Sequence, residues 1–168
     1  CARDPPRGLR RTGVLDSQTL ELVAFDYADG KERIFLAGDN TLFSLQDGNV
    51  KKIAIGGSDN RIHALLVADN GRLWVGSNTG LLYSDRNSNQ PLKAFPELES
   101  LRISALYQAA DKTLLVGTAK EGVFTIDRNS LLTNLPLNTS EGLSPWIYDI
   151  AESPAGNFWF ATFGAGLL

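Results

Sequence analysis

A three-part block recurs four times along this chain of 168 residues, and this internal repeat constrains the fold more than any other feature. The first part is a short apolar run such as Ile62-His63-Ala64-Leu65, and the second resembles Leu73-Trp74-Val75-Gly76. The third part resembles Gly80-Leu81-Leu82-Tyr83. The four copies begin at Leu22, Ile62, Ile103 and Ile147, which are 40, 41 and 44 residues apart. Self-similarity at such a period indicates a repeat architecture.

Each part has the composition of a β-strand, because β-branched and aromatic residues are bounded by turn formers. Turns are predicted between the first and second parts at Asp29-Gly30, Asp69-Asn70-Gly71, Asp111-Lys112 and Ala155-Gly156-Asn157. A fourth, more polar strand is predicted in three copies, around Lys51–Ile55, Leu92–Phe95 and Leu131–Leu135, as expected for an outer edge strand. No long segment keeps a helical period of apolar residues free of turn formers.

Four antiparallel strands per repeat predict an all-β protein, a β-propeller of about four blades. We assign residues 1–8 to an N-terminal tail and 9–168 to the propeller. The blades are predicted at 15–56, 57–98, 99–139 and 140–168.

The fourth copy stops after its third strand, and residues 9–14 occupy the place of a fourth strand before the first copy. We therefore expect 9–14 to complete the last blade, which would hide two strand edges. A small closed ring and part of a larger propeller are both compatible with the count, and we favour the larger propeller. Pairing of two copies into an eight-bladed ring is a further hypothesis.

Two sets of aligned residues carry packing predictions. Ala24, Ala64 and Ala105 align within the first strand, which is predicted to be innermost because small residues suit the crowded axis. Trp74 and Trp159 align within the second strand, so we expect both to pack between blades.

Composition excludes several functions. The net charge is −3, which gives no basic field for nucleic acid, and the apolar runs are too short to span a bilayer. One histidine and one cysteine cannot build a Cys/His zinc site within the chain, and the spacing of a phosphate or calcium loop is missing. We predict no metal, no cofactor and no enzymatic activity.

The chain starts with Cys1-Ala2 and contains no methionine. Cys1 fits the lipid-bearing first residue of a processed bacterial lipoprotein. An arbitrary boundary is the alternative, and we favour it.

The run GRLWVGSNTGLLY at 71–83 resembles the two-component regulator propeller repeat. The run EGLSPWIYDIAESPAGNFW at 141–159 resembles the stretch that opens the same blade type. The resemblance weakens in the third copy, where Leu115 replaces tryptophan, and in the first, where Leu36 does. It implies a periplasmic or otherwise extracytoplasmic sensor segment of a bacterial hybrid histidine kinase or diguanylate cyclase. Such a segment is tethered to the membrane in its parent protein, and the output domain lies outside this chain.

Ligands of propellers usually sit on a loop face near the axis, and the loops there predict six ligand-binding residues: Arg61, Arg102, Trp146, Asn78, Lys120 and Phe163. Arginine forks beside an aromatic platform suit a carboxylated or saccharide ligand. Solvated loop tips are the alternative for each residue. For Trp146, core packing and ligand contact remain open.

Two other functions remain as alternatives. A propeller lyase of the streptogramin-cleaving type shares this kind of blade and needs an active-site histidine, for which His63 is the candidate. We favour a half-buried strand histidine with no catalytic role. A structural propeller that mediates protein assembly is the other alternative.

Overall fold

The computed structural model of this chain describes residues 22–28, 31–38, 40–57, 60–85, 91–137 and 145–168, which form four antiparallel β-sheets. Each sheet consists of strands that are consecutive in sequence, so the prediction of an all-β fold is confirmed. Sheet 1 contains β1 (Leu22–Ala28), β2 (Lys31–Gly38), β3 (Thr41–Gln46) and β4 (Asn49–Ile53). Sheet 2 contains β5 (Ile62–Val67), β6 (Leu73–Ser77), β7 (Gly80–Ser84) and β8 (Lys93–Ala94), followed by a 3₁₀ turn at Pro96–Leu98. Sheet 3 contains β9 (Ile103–Gln108), β10 (Leu114–Thr118), β11 (Val123–Ile126) and β12 (Leu132–Leu135). Sheet 4 contains β13 (Trp146–Glu152), β14 (Phe158–Phe163) and β15 (Gly166–Leu167).

The turns between the first and second strands of sheets 2, 3 and 4 lie where the sequence predicts them. Their central residues Gly71, Lys112 and Gly156 have φ angles of 76°, 77° and 80°. Glycine adopts this left-handed backbone without a steric penalty, whereas the Cβ of lysine crowds the backbone there and destabilises the conformation. Each turn is closed by a backbone hydrogen bond, such as that from the Gly71 N–H to the Ala68 carbonyl at 2.7 Å.

Sheet 1 corrects the alignment of the first copy. Its second and third strands pair with Ala37 opposite Leu42, as Gly76 lies opposite Leu81 in sheet 2. Phe35 therefore takes the position of Trp74, and the assignment of Leu36 to that position was wrong by one residue. Gly38 resembles Gly76 in sequence, but the strand pairing places the small residue Ala37 at the position of Gly76.

The first strand of sheet 1 is displaced as well. Leu22 lies opposite Ala37, just as Ala64 lies opposite Gly76. Ala24 is buried, but it lies opposite Phe35, two residues beyond the predicted position.

Three apolar cores lie between successive sheets. The core between sheets 1 and 2 includes Phe35, Ala37, Leu42, Ile62 and Val75. The core between sheets 2 and 3 includes Trp74, Leu81, Leu98, Ile103 and Val116. The core between sheets 3 and 4 includes Leu115, Val123, Ile147, Ile150 and Phe160. Face-to-face packing of consecutive four-stranded sheets is the arrangement of propeller blades.

The first strands pack against one another in chain order, β1 on β5, β5 on β9 and β9 on β13. No packing of comparable extent joins β13 to β1 within the described residues. The tail at 1–8 and the strand predicted at 9–14 lie outside those residues, so completion of the last blade by 9–14 stays a prediction. In the same described part of the chain, no helix is long and apolar enough to cross a membrane.

The two aligned tryptophans have different surroundings. Trp74 is 6% exposed and belongs to the core between sheets 2 and 3, whereas Trp159 is 46% exposed. The prediction of packing between blades is therefore confirmed for Trp74 and wrong for Trp159. The reason is that no described sheet covers the face of sheet 4 on which Trp159 lies.

Candidate functional site

In sheets 2, 3 and 4 the start of the first strand lies beside the end of the second strand. We call this end of the sheets the entrance end. In sheet 2 the Asn78 N–H donates to the Arg61 carbonyl at 3.0 Å. In sheet 3 the Ala119 N–H donates to the Arg102 carbonyl, also at 3.0 Å. Arg61 and Arg102 therefore occupy equivalent positions at the start of their sheets.

Sheet 4 has an aromatic residue at the same position. Strand pairing places Trp146 opposite Phe163, at the start of β13 and the end of β14. Trp146 is thus the equivalent of Arg61 and Arg102, so the entrance end presents two arginines and one tryptophan on adjacent sheets.

The first strands of sheets 2, 3 and 4 each carry a β-bulge next to these entrance positions. The pairing skips one residue between Ile62 and Ala64, and the skipped residue is His63. Ser104 and Tyr148 are the unpaired residues at the same place in sheets 3 and 4. A bulge bends its strand and redirects a side chain, and bulges are frequent beside binding sites.

The bulge side chains of sheets 2 and 3 both form hydrogen bonds. His63 Nε2 lies 2.7 Å from Oδ1 of Asn78, at the end of the neighbouring strand. The Ser104 hydroxyl donates to the Ile147 carbonyl at 2.6 Å and so links sheet 3 to sheet 4. These bonds fix the rim of the entrance end.

The third bulge residue joins an aromatic cluster. The ring of Tyr148 stacks on Trp146 with a centroid distance of 5.7 Å and an interplanar angle of 13°. Phe163 meets Tyr148 edge-on at 6.4 Å. Tyr148 and Phe163 are 57% and 69% exposed, so apolar ring surface faces solvent at this end of the sheet.

Arg102 extends this cluster across the boundary between two sheets. Its guanidinium carbon lies 4.4 Å from the centroid of the Trp146 ring, within the range of a cation–π contact. Nε of Arg102 and Nε1 of Trp146 are both buried without a hydrogen-bond partner. Each is a donor, and a buried donor without an acceptor destabilises a protein by about 1–3 kcal/mol. The described residues therefore supply no hydrogen-bond acceptor to either of these two donors.

The entrance end has a positive local field that acts on His63. Burial lowers the pKa of the imidazole from its ordinary value near 6.5, and the positive charges of Arg102 and Arg61 lower it further. The hydrogen bond with Asn78 raises the pKa and opposes part of this change. His63 is therefore neutral at neutral pH, and one ring nitrogen remains an acceptor.

NMR titration of the imidazole should give a pKa below 6.5 for His63, the one histidine of the chain. Arg102→Ala should raise this pKa because it removes a nearby positive charge, whereas Arg128→Ala, on the loop after β11, should leave it unchanged. Since the folded chain binds this proton less tightly than the unfolded chain, the free energy of unfolding should fall as the pH drops below about 6.5. A pKa above 6.5 would contradict this description of the field.

All six predicted ligand-binding residues lie at the entrance end. One continuous surface contains Arg102, Trp146 and Phe163, and Tyr148 links the two aromatic residues. Asn78 holds His63 near the two arginines. Lys120 lies in the exposed loop between β10 and β11 and forms no hydrogen bond or ion pair with other described residues. The loop itself is held by the Thr118 hydroxyl, which accepts from the Glu121 N–H at 2.8 Å.

The sequence did not single out Ser104 or Tyr148. Each follows an isoleucine, Ile103 or Ile147, at a position that changes from histidine to serine to tyrosine in the last three copies. That variation directly after a position that is apolar in every copy was the available signal for a bulge.

A cavity of about 590 Å³ lies at the opposite end, between sheets 1 and 2. Its wall includes Asp85, which accepts two hydrogen bonds from Arg72, at 3.1 and 2.8 Å, and one from Lys93 at 3.3 Å. These cations hold the pKa of Asp85 below its ordinary value. Because this charge is already compensated, the entrance end is the stronger candidate site.

Metal binding has no support in the described ranges, where no group of three or more His, Cys, Asp or Glu side chains could hold an ion. Cys1 lies outside these ranges, so its lipidation stays a prediction.

Solved structures show what this chain is similar to. It superposes on the extracellular domain of the one component system BT4673 from B. thetaiotaomicron with a TM-score of 0.71 and 19% identity, over 96% of this chain and 22% of the other. The extracellular domain of the hybrid two component system BT3049 from the same organism gives a TM-score of 0.63 and 21% identity, over 83% of this chain and 18% of the other. A streptogramin B lyase gives 0.60 and 14% identity, over 89% and 53%. The chain thus spans about a fifth of the two extracellular domains and half of the lyase.

The described residues are therefore four sheets of a β-propeller. Residues 56–79 match the family profile described as Two component regulator propeller, so the chain carries that repeat and the predicted resemblance is confirmed. Comparison with curated protein sequences gave no match.

Proposed function

We propose that this chain is part of an extracytoplasmic sensory propeller that recognises a small ligand at its entrance end and has no catalytic role. The family match and the likeness to extracellular domains of bacterial signalling systems support a sensory role. In the parent protein the propeller is tethered to the membrane and passes its signal to an output domain.

The single observation that carries ligand recognition is the Arg102–Trp146 pair. A guanidinium lying on an indole is held in a defined orientation, and its planar fork matches a carboxylate in two parallel hydrogen bonds. We therefore expect a carboxylated ligand.

The neighbouring rings favour a sugar ring as the body of that ligand. Tyr148 and Phe163 expose flat apolar surface beside the arginine, and His63 and Asn78 supply polar groups on the next sheet. Pockets that combine apolar walls with a few fixed polar groups are typical of small-molecule sites. An acidic saccharide combines both features.

Calorimetry with glucuronic acid, and with glucose as its neutral counterpart, tests the proposal. We expect the acid to bind more tightly than the neutral sugar. Arg102→Ala should weaken binding of the acid by about tenfold to a hundredfold, because hydrogen bonds to charged groups contribute about 1.5–3 kcal/mol. Trp146→Ala should weaken binding of both sugars.

Arg128→Ala is the matched control, because Arg128 is an exposed arginine that donates to the Asp111 carbonyl at the far end of sheet 3. It should leave the affinity unchanged. Affinity for the acid that survives Arg102→Ala in a folded protein would remove this residue from the site.

The likeness to a lyase makes one enzymatic alternative testable. A lyase that depends on His63 would lose its activity in His63→Ala, whereas a binding module would keep its affinity. The parent reading frame offers a second test, because a membrane helix followed by a kinase or cyclase region would agree with the sensory role.

A further inference from the structure

The contact between Arg102 and Trp146 crosses the boundary between sheets 3 and 4. Arg102 directly precedes β9 and Trp146 begins β13, so the geometry of this pair depends on how the two strands are held together. β9 and β13 pack against each other. Because apolar packing is non-directional, a hydrogen bond across the boundary defines the relative position of the strands more narrowly.

Ser104 supplies such a hydrogen bond from the bulge of β9. Its hydroxyl donates to the Ile147 carbonyl at 2.6 Å, and the Gly117 carbonyl is a second, more distant acceptor at 3.3 Å. The shorter distance lies at the strong end of the range of about 2.5–3.0 Å for bonds between two oxygen atoms. Ser104 is two residues from Arg102, and Ile147 directly follows Trp146. The bond therefore joins the two strands next to both members of the pair.

The two strands can come this close because Gly117 has no side chain. A Cβ added to Gly117 would lie 2.7 Å from Cγ2 of Ile147. Gly76 has the same relation to Ile103 at the boundary between sheets 2 and 3, also at 2.7 Å. The close approach is therefore common to both boundaries, and the residue type at the bulge is what distinguishes them.

His63 holds the bulge position at the boundary between sheets 2 and 3, and its hydrogen bond stays within one sheet. Its Nε2 lies 2.7 Å from Oδ1 of Asn78, at the end of the neighbouring strand. The entrance positions at that boundary are Arg61 and Arg102, which carry like charges and cannot form a cation–π pair with each other. The hydroxyl link to the next sheet thus occurs at the boundary where a cation meets an aromatic ring.

We propose that Ser104 is a positioning residue of the entrance end: its bond to Ile147 holds Arg102 over Trp146 and so orients the guanidinium towards a carboxylate. The effect on ligand binding rests on the function proposed above, whereas the effect on the Arg102–Trp146 contact does not. A planar guanidinium forms two parallel hydrogen bonds with a carboxylate only within a narrow range of orientations. A shift of sheet 3 against sheet 4 should therefore lower the preference for an acidic sugar over its neutral counterpart.

NMR of the chain without ligand tests the positioning directly. The ring current of Trp146 should shift the side-chain protons of Arg102 upfield, because the guanidinium carbon lies 4.4 Å from the ring centroid. Ser104→Ala should reduce this shift, and Ser104→Thr should keep it because threonine retains the hydroxyl. Ser84→Ala is the matched control: the Ser84 hydroxyl also donates to a carbonyl, that of Asp85 at 3.3 Å, but at the opposite end of sheet 2. It should leave the shift unchanged.

Calorimetry with glucuronic acid and glucose measures the effect on recognition. Ser104→Ala should weaken binding of the acid by about twofold to tenfold, the contribution of one neutral hydrogen bond, and should weaken binding of glucose less. Ser104→Thr should restore the affinity for the acid. Circular dichroism of each variant verifies that it is folded. An equal loss of affinity for both sugars would show a merely structural role and overturn the proposal.

The two measurements separate the positioning role from the proposed function. A wild-type chain that binds neither sugar, together with a reduced upfield shift in Ser104→Ala, would contradict the proposed ligand and support the positioning of Arg102. A wild-type chain that prefers the acid, together with a Ser104→Ala variant that keeps both the preference and the upfield shift, would support the proposed function and overturn the positioning role. Arg102 protons that are not shifted in the wild type also overturn it.

Discussion

Trp74→Ala is expected to lower the free energy of unfolding by about 3–5 kcal/mol, the usual cost of removing a large aromatic side chain from a core. The indole is almost fully buried between sheets 2 and 3. It lies 5.4 Å from the ring of Tyr83 and 6.3 Å from that of Phe95, and the Arg72 guanidinium lies 5.5 Å above it. Alanine would leave a cavity that strands on both sides cannot close. Urea denaturation followed by circular dichroism measures the loss.

Trp159→Ala is the matched control, because the same residue type stands at the equivalent position of sheet 4. Its indole is half exposed, so in a single chain the change should cost less than about 1 kcal/mol. The comparison is made at protein concentrations low enough to keep the chain monomeric. Equal losses for the two tryptophans would show that burial between sheets does not set their contributions.

The strands and most turns were predictable because their signals are local. The turns at Gly71 and Gly156 need a positive φ, and the sequence supplies glycine at those positions between two apolar runs. The order of strands in each sheet then follows from short connections, which pair neighbours as antiparallel hairpins. Local chemistry thus determines most of the blade pattern.

The register of the first copy was not predictable in this way. Gly38 and Gly76 are the same residue type and therefore align in sequence. In the structure, however, Ala37 holds the position that contacts the next sheet. A second pattern contained the correct alignment: Arg33 lies over Phe35 at 5.6 Å, as Arg72 lies over Trp74 at 5.5 Å. An arginine two residues before an aromatic residue is a weak signal in sequence and becomes meaningful only with the strand pairing.

The site was predicted in part because equivalent positions of repeated sheets converge on one end. Arg102 and Trp146 were each predictable on this ground, but their cation–π contact joins two sheets and depends on how far apart the blades pack. The bulge that places Tyr148 beside Trp146 has only a weak sequence signal, the change of residue type between copies at that position. Contacts between blades therefore decide which predicted residues form one surface.

Gly117→Val should be the most damaging change at a residue without a side chain. A Cβ added to Gly117 would lie 2.7 Å from Cγ2 and 2.8 Å from Cβ of Ile147, and 3.1 Å from Cβ of Ala105. The two distances to Ile147 are shorter than packed carbon atoms tolerate, so β10 and β13 would have to separate. Overpacking of a core costs about 1–3 kcal/mol, and we expect valine to reach the upper end of that range. Chemical denaturation measures the loss.

Ala161→Val is the control for this prediction, because Ala161 holds the equivalent position in sheet 4 and carries a Cβ already. Among the described residues no sheet packs on that side of sheet 4, so the additional methyl groups should change the stability by no more than about 0.5 kcal/mol. A double-mutant cycle gives a second control. Ile147→Ala should lower the free energy of unfolding less in the Gly117→Ala background than in the wild type, because the shorter side chain at 147 removes part of the clash. Additive losses would mean that the two residues do not compete for the same space, and the account of how sheet 4 packs on sheet 3 would then be wrong.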